Sequence, residues 1–121
     1  MLGFGGAMIT NKSDASNLIN SYAIAPRLIF IAVVHSTTPY VSTYPWSGSG
    51  FGTKFSDPAT LPAGTVWGVA FSPSGTEIAV AHGTTPYVST YPWSASGFGT
   101  KFSNPATLPA STGWGVAFGL A

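Results

Sequence analysis

Cysteine is absent from the chain. That excludes disulfides, thiolate metal sites and a cysteine nucleophile. Charge is scarce as well. Charged residues make up 6% of the 121 positions, against about 25% in an average domain. Lys12, Arg27, Lys54 and Lys101 do not cluster, and the formal net charge is +1. No electrostatic footprint for nucleic acid is present. Paired carboxylates for acid–base chemistry need two acids in one site. Asp14, Asp57 and Glu77 stand in different sequence contexts. No nucleophile elbow occurs. No apolar run reaches the roughly 18 residues of a membrane-spanning helix. The first residues, Met1 to Met8, lack the basic head of a signal peptide. The expectation is a protein without catalysis, cofactor, metal, nucleic-acid partner or membrane span, and not exported by the general route. A surface this poor in charge invites association. It must be buried in an assembly or covered with threonine, serine, asparagine and glycine.

What the chain does have is repetition. His35–Phe71 and His82–Phe118 align without a gap at an offset of 47 residues. Five of those 37 positions differ: Ser36/Gly83, Gly48/Ala95, Asp57/Asn104, Gly64/Ser111 and Val66/Gly113. A fixed period of about 40–50 residues is the signature of a solenoid or propeller. Within the unit, short runs rich in valine, isoleucine and aromatics alternate with turn chemistry. Leu28–Val34 reads as a strand with both faces apolar, which suits a strand covered on each side. His35 to Pro39 is a turn, and Tyr40–Trp46 the next strand. After Ser47–Gly50, Phe51–Phe55 reads as a short outer strand. Residues 57–65 hold two prolines and a glycine and form a crossing loop. Val66–Phe71 opens the second unit, which follows identically through Phe102. Trp114–Phe118 is then one more first strand. Residues 1–27 are divergent, and Ser13–Tyr22 carries a short-helix pattern capped by Ser13. The divisions are 1–27, 28–74 and 75–121.

Four antiparallel strands and a crossing loop per repeat match the blade of a β-propeller. Val69-Ala70-Phe71-Ser72-Pro73-Ser74-Gly75 followed by Ile78-Ala79-Val80-Ala81 resembles the first two strands of a WD-repeat blade. Thr37-Thr38-Pro39-Tyr40-Val41-Ser42-Thr43-Tyr44 and Asn104-Pro105-Ala106-Thr107-Leu108-Pro109-Ala110 resemble propeller repeats of bacteriophage proteins. The Gly-His and Trp-Asp pairs of standard WD repeats are missing. The resemblance covers residues 28–118 and implies an all-β propeller in a virion or host-surface setting.

Two blades cannot close a ring, since propellers use about four to eight. The repeat begins at its second strand and ends after its first. The expectation is a homo-oligomer in which Trp114, Val116, Ala117 and Phe118 of one copy complete the edge formed by Leu28, Ile29 and Ile31 of the next. Three copies with six blades are favoured, four with eight come next, and an open filament is the outcome if closure fails.

The candidate ligand contacts are aromatic. Trp46, Trp93, Tyr40 and Tyr87 flank strand ends, and Trp67 and Trp114 flank the crossing loop. An exposed ring with a polar tip is a platform for a sugar; the competing reading for each is packing between blades. His35 and His82 are candidate ligand contacts as well; the competing reading is that each caps a strand and hydrogen-bonds the Thr-Thr-Pro turn. The leading functional expectation is a non-enzymatic structural or adhesive module whose partners are itself and other virion proteins. A lectin binding surface glycans, with one shallow site per blade, is the alternative. A designed or excised propeller fragment is another.

Overall fold

A computed structural model describes residues 28–121. The helix expected within residues 13–22 lies outside the described residues. The described chain is all-β, built as two antiparallel sheets. Sheet I contains β1 (Ile29–Val34), β2 (Val41–Ser47) and β3 (Gly50–Phe51). Sheet II contains β4 (Val66–Phe71), β5 (Glu77–His82), β6 (Val88–Ser94) and β7 (Gly97–Phe98). Neighbours in sequence are neighbours in each sheet, as short turns between strands dictate.

The local chemistry explains the elements. Both long hairpins turn at Thr-Thr-Pro-Tyr. Tyr40 N donates to Thr37 O at 2.8 Å, and Tyr87 N to Thr84 O at 2.8 Å. Tyr40 and Tyr87 take left-handed backbone, φ 73° and 71°. They therefore belong to the turns, and β2 and β6 begin one residue later, at Val41 and Val88. The outer hairpins turn at Gly50 and Gly97, whose φ of 98° and 101° is a region that side chains rarely tolerate.

Sequence reasoning expected the outer strand to run from Phe51 to Phe55. The ladder holds only Gly50–Phe51. Beyond it, Gly52 N donates to Pro45 O at 2.8 Å and Phe55 N to Thr43 O at 2.9 Å, but the residues between them do not pair. The cause is Phe55, whose ring turns inward to lie 5.8 Å from Phe30 and 5.1 Å from Trp93. A regular strand would not bring it there.

The two sheets stack, and the core lies between them. Strand alternation divides each sheet into two faces. In sheet I, pairing of Phe30 with Pro45, Ala32 with Thr43 and Val34 with Val41 defines one face. It meets the face of sheet II that carries Ile78, Val80, Tyr91 and Trp93, all buried. Trp93 is the hub. Its ring packs edge-on against Phe30 and Phe55 from sheet I and Phe71 and Phe98 from sheet II, at 5.1–5.3 Å. The crossing loop is tied to the core as well: Pro58 and Pro62 are buried, and Tyr91 Oη donates to Thr60 O at 2.8 Å.

Trp114–Phe118 forms no strand ladder with the described residues. It lies beside β4: a Cβ built on Gly68 would stand 2.7 Å from Gly115 Cα. The chain enters it as it enters β4. Val66 N donates to His35 O at 3.4 Å, and 47 residues later Gly113 N donates to His82 O at 3.0 Å.

Candidate functional site

The two histidines do the same job. His35 Nδ1 donates to Thr37 O at 2.7 Å, and His82 Nδ1 to Thr84 O at 2.8 Å. With Nδ1 carrying the proton, Nε2 accepts from a serine hydroxyl: Ser42 at 3.0 Å for His35 and Ser89 at 2.9 Å for His82. Both ring nitrogens are thus occupied by the fold, and the reading of each histidine as a turn cap is met. His82 is fully buried. Desolvation lowers its pKa from 6.5, with the charge of Lys101 adding to the effect and the Thr84 carbonyl opposing it. Among the described residues, no group of three histidine, cysteine or acidic side chains could hold a metal ion. No helix of the described residues is long and apolar enough to cross a membrane.

The aromatic candidates divide. Trp93 is a core residue with no face to offer a ligand, and its Nε1 is buried without a partner. Trp46 is its repeat equivalent and is exposed. Tyr40 and Tyr87 are half-buried in their turns. Trp67 and Trp114 stand together. They are 50% and 69% exposed, with ring centroids 5.1 Å apart and planes at 48°. Only this pair brings two candidate tryptophans into contact.

The more informative surface gathers residues expected in separate roles, Ile29 and Ile31 at an oligomer edge and Trp46 at a ligand site, with others that sequence reasoning placed in neither role. The outward face of sheet I carries Ile29, Ile31 and Val33 from β1, Tyr44 and Trp46 from β2, and Phe51 from β3. Val33 is 46% exposed and Phe51 62%, and the two line a shallow groove with Tyr44. Their equivalents in sheet II are Val80, fully buried, and Phe98, which is packed on the core. On the outward face of sheet II, Ala79 and Ala81 are buried, but the outer part of the face is open. Val88, Thr90, Phe102 and Pro105 line a groove there. Their equivalents in sheet I are Val41 and Thr43, buried under sheet II, Phe55, packed on Trp93, and Pro58, buried. A signal was present in the sequence: β1 is apolar on both faces, and a strand of that kind is normally covered twice.

No protein-family model, curated protein or solved structure matches the chain.

Proposed function

We propose that the chain is a non-enzymatic structural or adhesive module, a two-blade section of a β-propeller completed by further copies of itself. The observation that carries this reading is the stacking of the two repeats in the same sense. One face of the first repeat covers the opposite face of the second, so two unlike apolar faces are left open at the two ends. Apolar patches of this kind mark association sites. Sheet I also has three strands to the four of sheet II among the described residues, and Trp114–Phe118 repeats Trp67–Phe71 residue for residue. Donated as an innermost strand, that segment supplies sheet I with what β4 supplies to sheet II. Three copies with six blades remain the favoured count, and a virion or host-surface setting follows from the likeness to phage propeller repeats. Native mass spectrometry tests the reading. An assembly of three or four chains supports it; a monomer at micromolar concentration overturns it.

The Trp67–Trp114 pair favours a second reading, glycan binding. Two exposed rings in contact offer an extended apolar platform with indole N–H groups at its rim. In a ring each neighbouring pair of inner strands would repeat it, and weak sites would gain by multivalency. A glycan panel read by tryptophan fluorescence decides this: no response from any saccharide eliminates it.

A further inference from the structure

The stacking of sheet I on sheet II gives a template for the contact between chains. We infer that copies join head to tail, the Val88–Thr90–Phe102–Pro105 face of one chain seating on the Val33–Tyr44–Trp46–Phe51 face of the next. The inference rests on the oligomeric reading above and specifies its partner and its interface.

Each half of this contact already exists inside the chain. The donor face is the repeat of Val41, Thr43, Phe55 and Pro58. The receptor face is the repeat of Val80, Tyr91, Trp93 and Phe98. These two sets meet between sheets I and II, with Phe55 and Trp93 5.1 Å apart. The residues at the open ends are identical to those at the closed junction at every one of the eight positions. Their geometry within each sheet is also the same. Tyr44–Phe51 and Tyr91–Phe98 centroids lie 5.2 and 5.3 Å apart, and Trp46–Phe51 and Trp93–Phe98 lie 5.0 and 5.1 Å apart. The open surfaces are therefore already shaped for one another.

The terminal segment fixes the register. Inside the chain, Val69 pairs with Val80, Ala70 with Ala79 and Phe71 with Ile78. Shifted by one repeat, Val116 of the donor stands opposite Val33 of the receiver, Ala117 opposite Ala32, and Phe118 opposite Ile31. The same chain thus supplies both the covering face and the missing inner strand. By the 47-residue offset, the segment of the chain that corresponds in sequence to β4 and to the terminal strand is residues 19–24. They share only Ala23 with the corresponding Val66–Phe71. Their sequence carries Ser21 in place of Gly68, and at Gly68 the neighbouring backbone leaves no room for a Cβ, whereas Trp114–Phe118 keeps glycine there at Gly115. The donor differs from its template in charge at two positions, Glu77 in place of Phe30 and Asn104 in place of Asp57, and the first of these falls on the covering face. The contact between chains is accordingly less apolar there than the one within.

The unlike character of the two faces supplies the test. Val33→Lys blocks the receptor face only, and Phe102→Asp blocks the donor face only. Both side chains are exposed in the single chain, so neither change should prevent folding. Each variant alone is expected to run as a monomer in light scattering. Mixed, they are expected to give a one-to-one dimer that grows no further, because each brings one intact face. That dimer also shows that both variants are folded. A second arm uses the cysteine-free background: Ala32→Cys with Ala117→Cys in one chain should crosslink on oxidation into multiples of the chain mass. If the wild type assembles and neither variant dissociates it, the interface is wrong while the oligomeric reading stands. If only one variant dissociates it, like faces pair, or residues 1–27 cover an end, and the inference again fails. A monomeric wild type removes both.

Discussion

Tyr44 and Tyr91 occupy the same place in two copies of one repeat, and only Tyr91 is sealed from solvent. Sheet I and sheet II are close to an internal control experiment. Their turns, histidine caps and aromatic pairs agree within about 0.1 Å in the distances that define them. What differs is the neighbour. Sheet II has its Tyr91 face covered by sheet I; among the described residues no sheet is stacked on the same face of sheet I. The sequence of a repeat sets its own shape, and its burial is set by what is stacked on it. The largest test of this difference is Tyr91→Ala. Truncating a buried aromatic costs about 3–5 kcal/mol, and here the Thr60 carbonyl also loses its donor. Tyr44→Ala, under conditions where the chain is monomeric, should cost about 1 kcal/mol or less, as befits a partly exposed site. Urea denaturation of both variants measures the gap. Equal losses in the monomer would remove the distinction between the two sheets.

A second contrast lies at the entry to each inner strand, where Val66 in one copy is Gly113 in the other. Val66 is buried. At Gly113 a Cβ would stand 2.8 Å from Tyr87 O and 3.1 Å from Ala81 Cβ. Gly113→Val should therefore destabilise the chain by about 1–3 kcal/mol, the usual cost of overpacking. A neutral result by thermal denaturation would show that the terminal segment is too loosely held to matter, and would weaken its reading as a preset strand.

Much of this architecture was legible from residues alone, for local reasons. Short valine- and isoleucine-rich runs between Thr-Thr-Pro and Ser-Pro-Ser-Gly marked the strands. The position of each histidine at the end of a strand, before a turn with free carbonyls, marked it as a cap. The errors are also local. Tyr40 and Tyr87 look like strand residues, but a left-handed φ places them in turns. Phe55 looks like the end of an outer strand, but the core claims its ring. The candidate site was harder to see. Trp46 and Trp93 sit in the same local sequence, Tyr-Pro-Trp-Ser, so no reading of that sequence could make one a core hub and the other a surface ring. The distinction comes from tertiary neighbours, and its only trace is the doubly apolar β1.

The buried histidine offers a smaller, pH-dependent contrast. Burial holds the folded His82 pKa below 6.5. Above that pH the ring is neutral in both the folded and unfolded chain. As pH falls through 6.5, the unfolded chain takes up a proton that the folded chain resists, so stability declines towards the lowered folded value and then levels off. Lys101 is the cation that adds to the resistance. Denaturation midpoints should drop between neutral pH and about 5, and the drop should shrink in His82→Gln. An unchanged acid slope in that variant would assign the effect to other groups.

The smallest expected effect concerns the acid that one copy has and the other lacks. Lys54 Nζ lies 2.5 Å from Asp57 Oδ1, and both side chains are substantially exposed. In the second repeat Lys101 Nζ keeps the same contact with Asn104 Oδ1 at 2.6 Å. Geometry is thus preserved when the charge is removed, which implies that the ion pair is not what shapes the loop. Exposed pairs contribute about 0–1 kcal/mol. Asp57→Asn and Asn104→Asp should each change the stability of the monomer by less than about 0.5 kcal/mol. The template carries this over to assembly: Lys101 and Asn104 line the open groove of sheet II where Lys54 and the exposed Asp57 stand at the closed junction, so an acid at 104 should be tolerated there too. An acid at 104 that leaves both the monomer and the assembled state unchanged, beside a silent change at 57, agrees with a contact between chains built like the one within. An acid at 104 that dissociates the assembled state would show that the two junctions are not built alike.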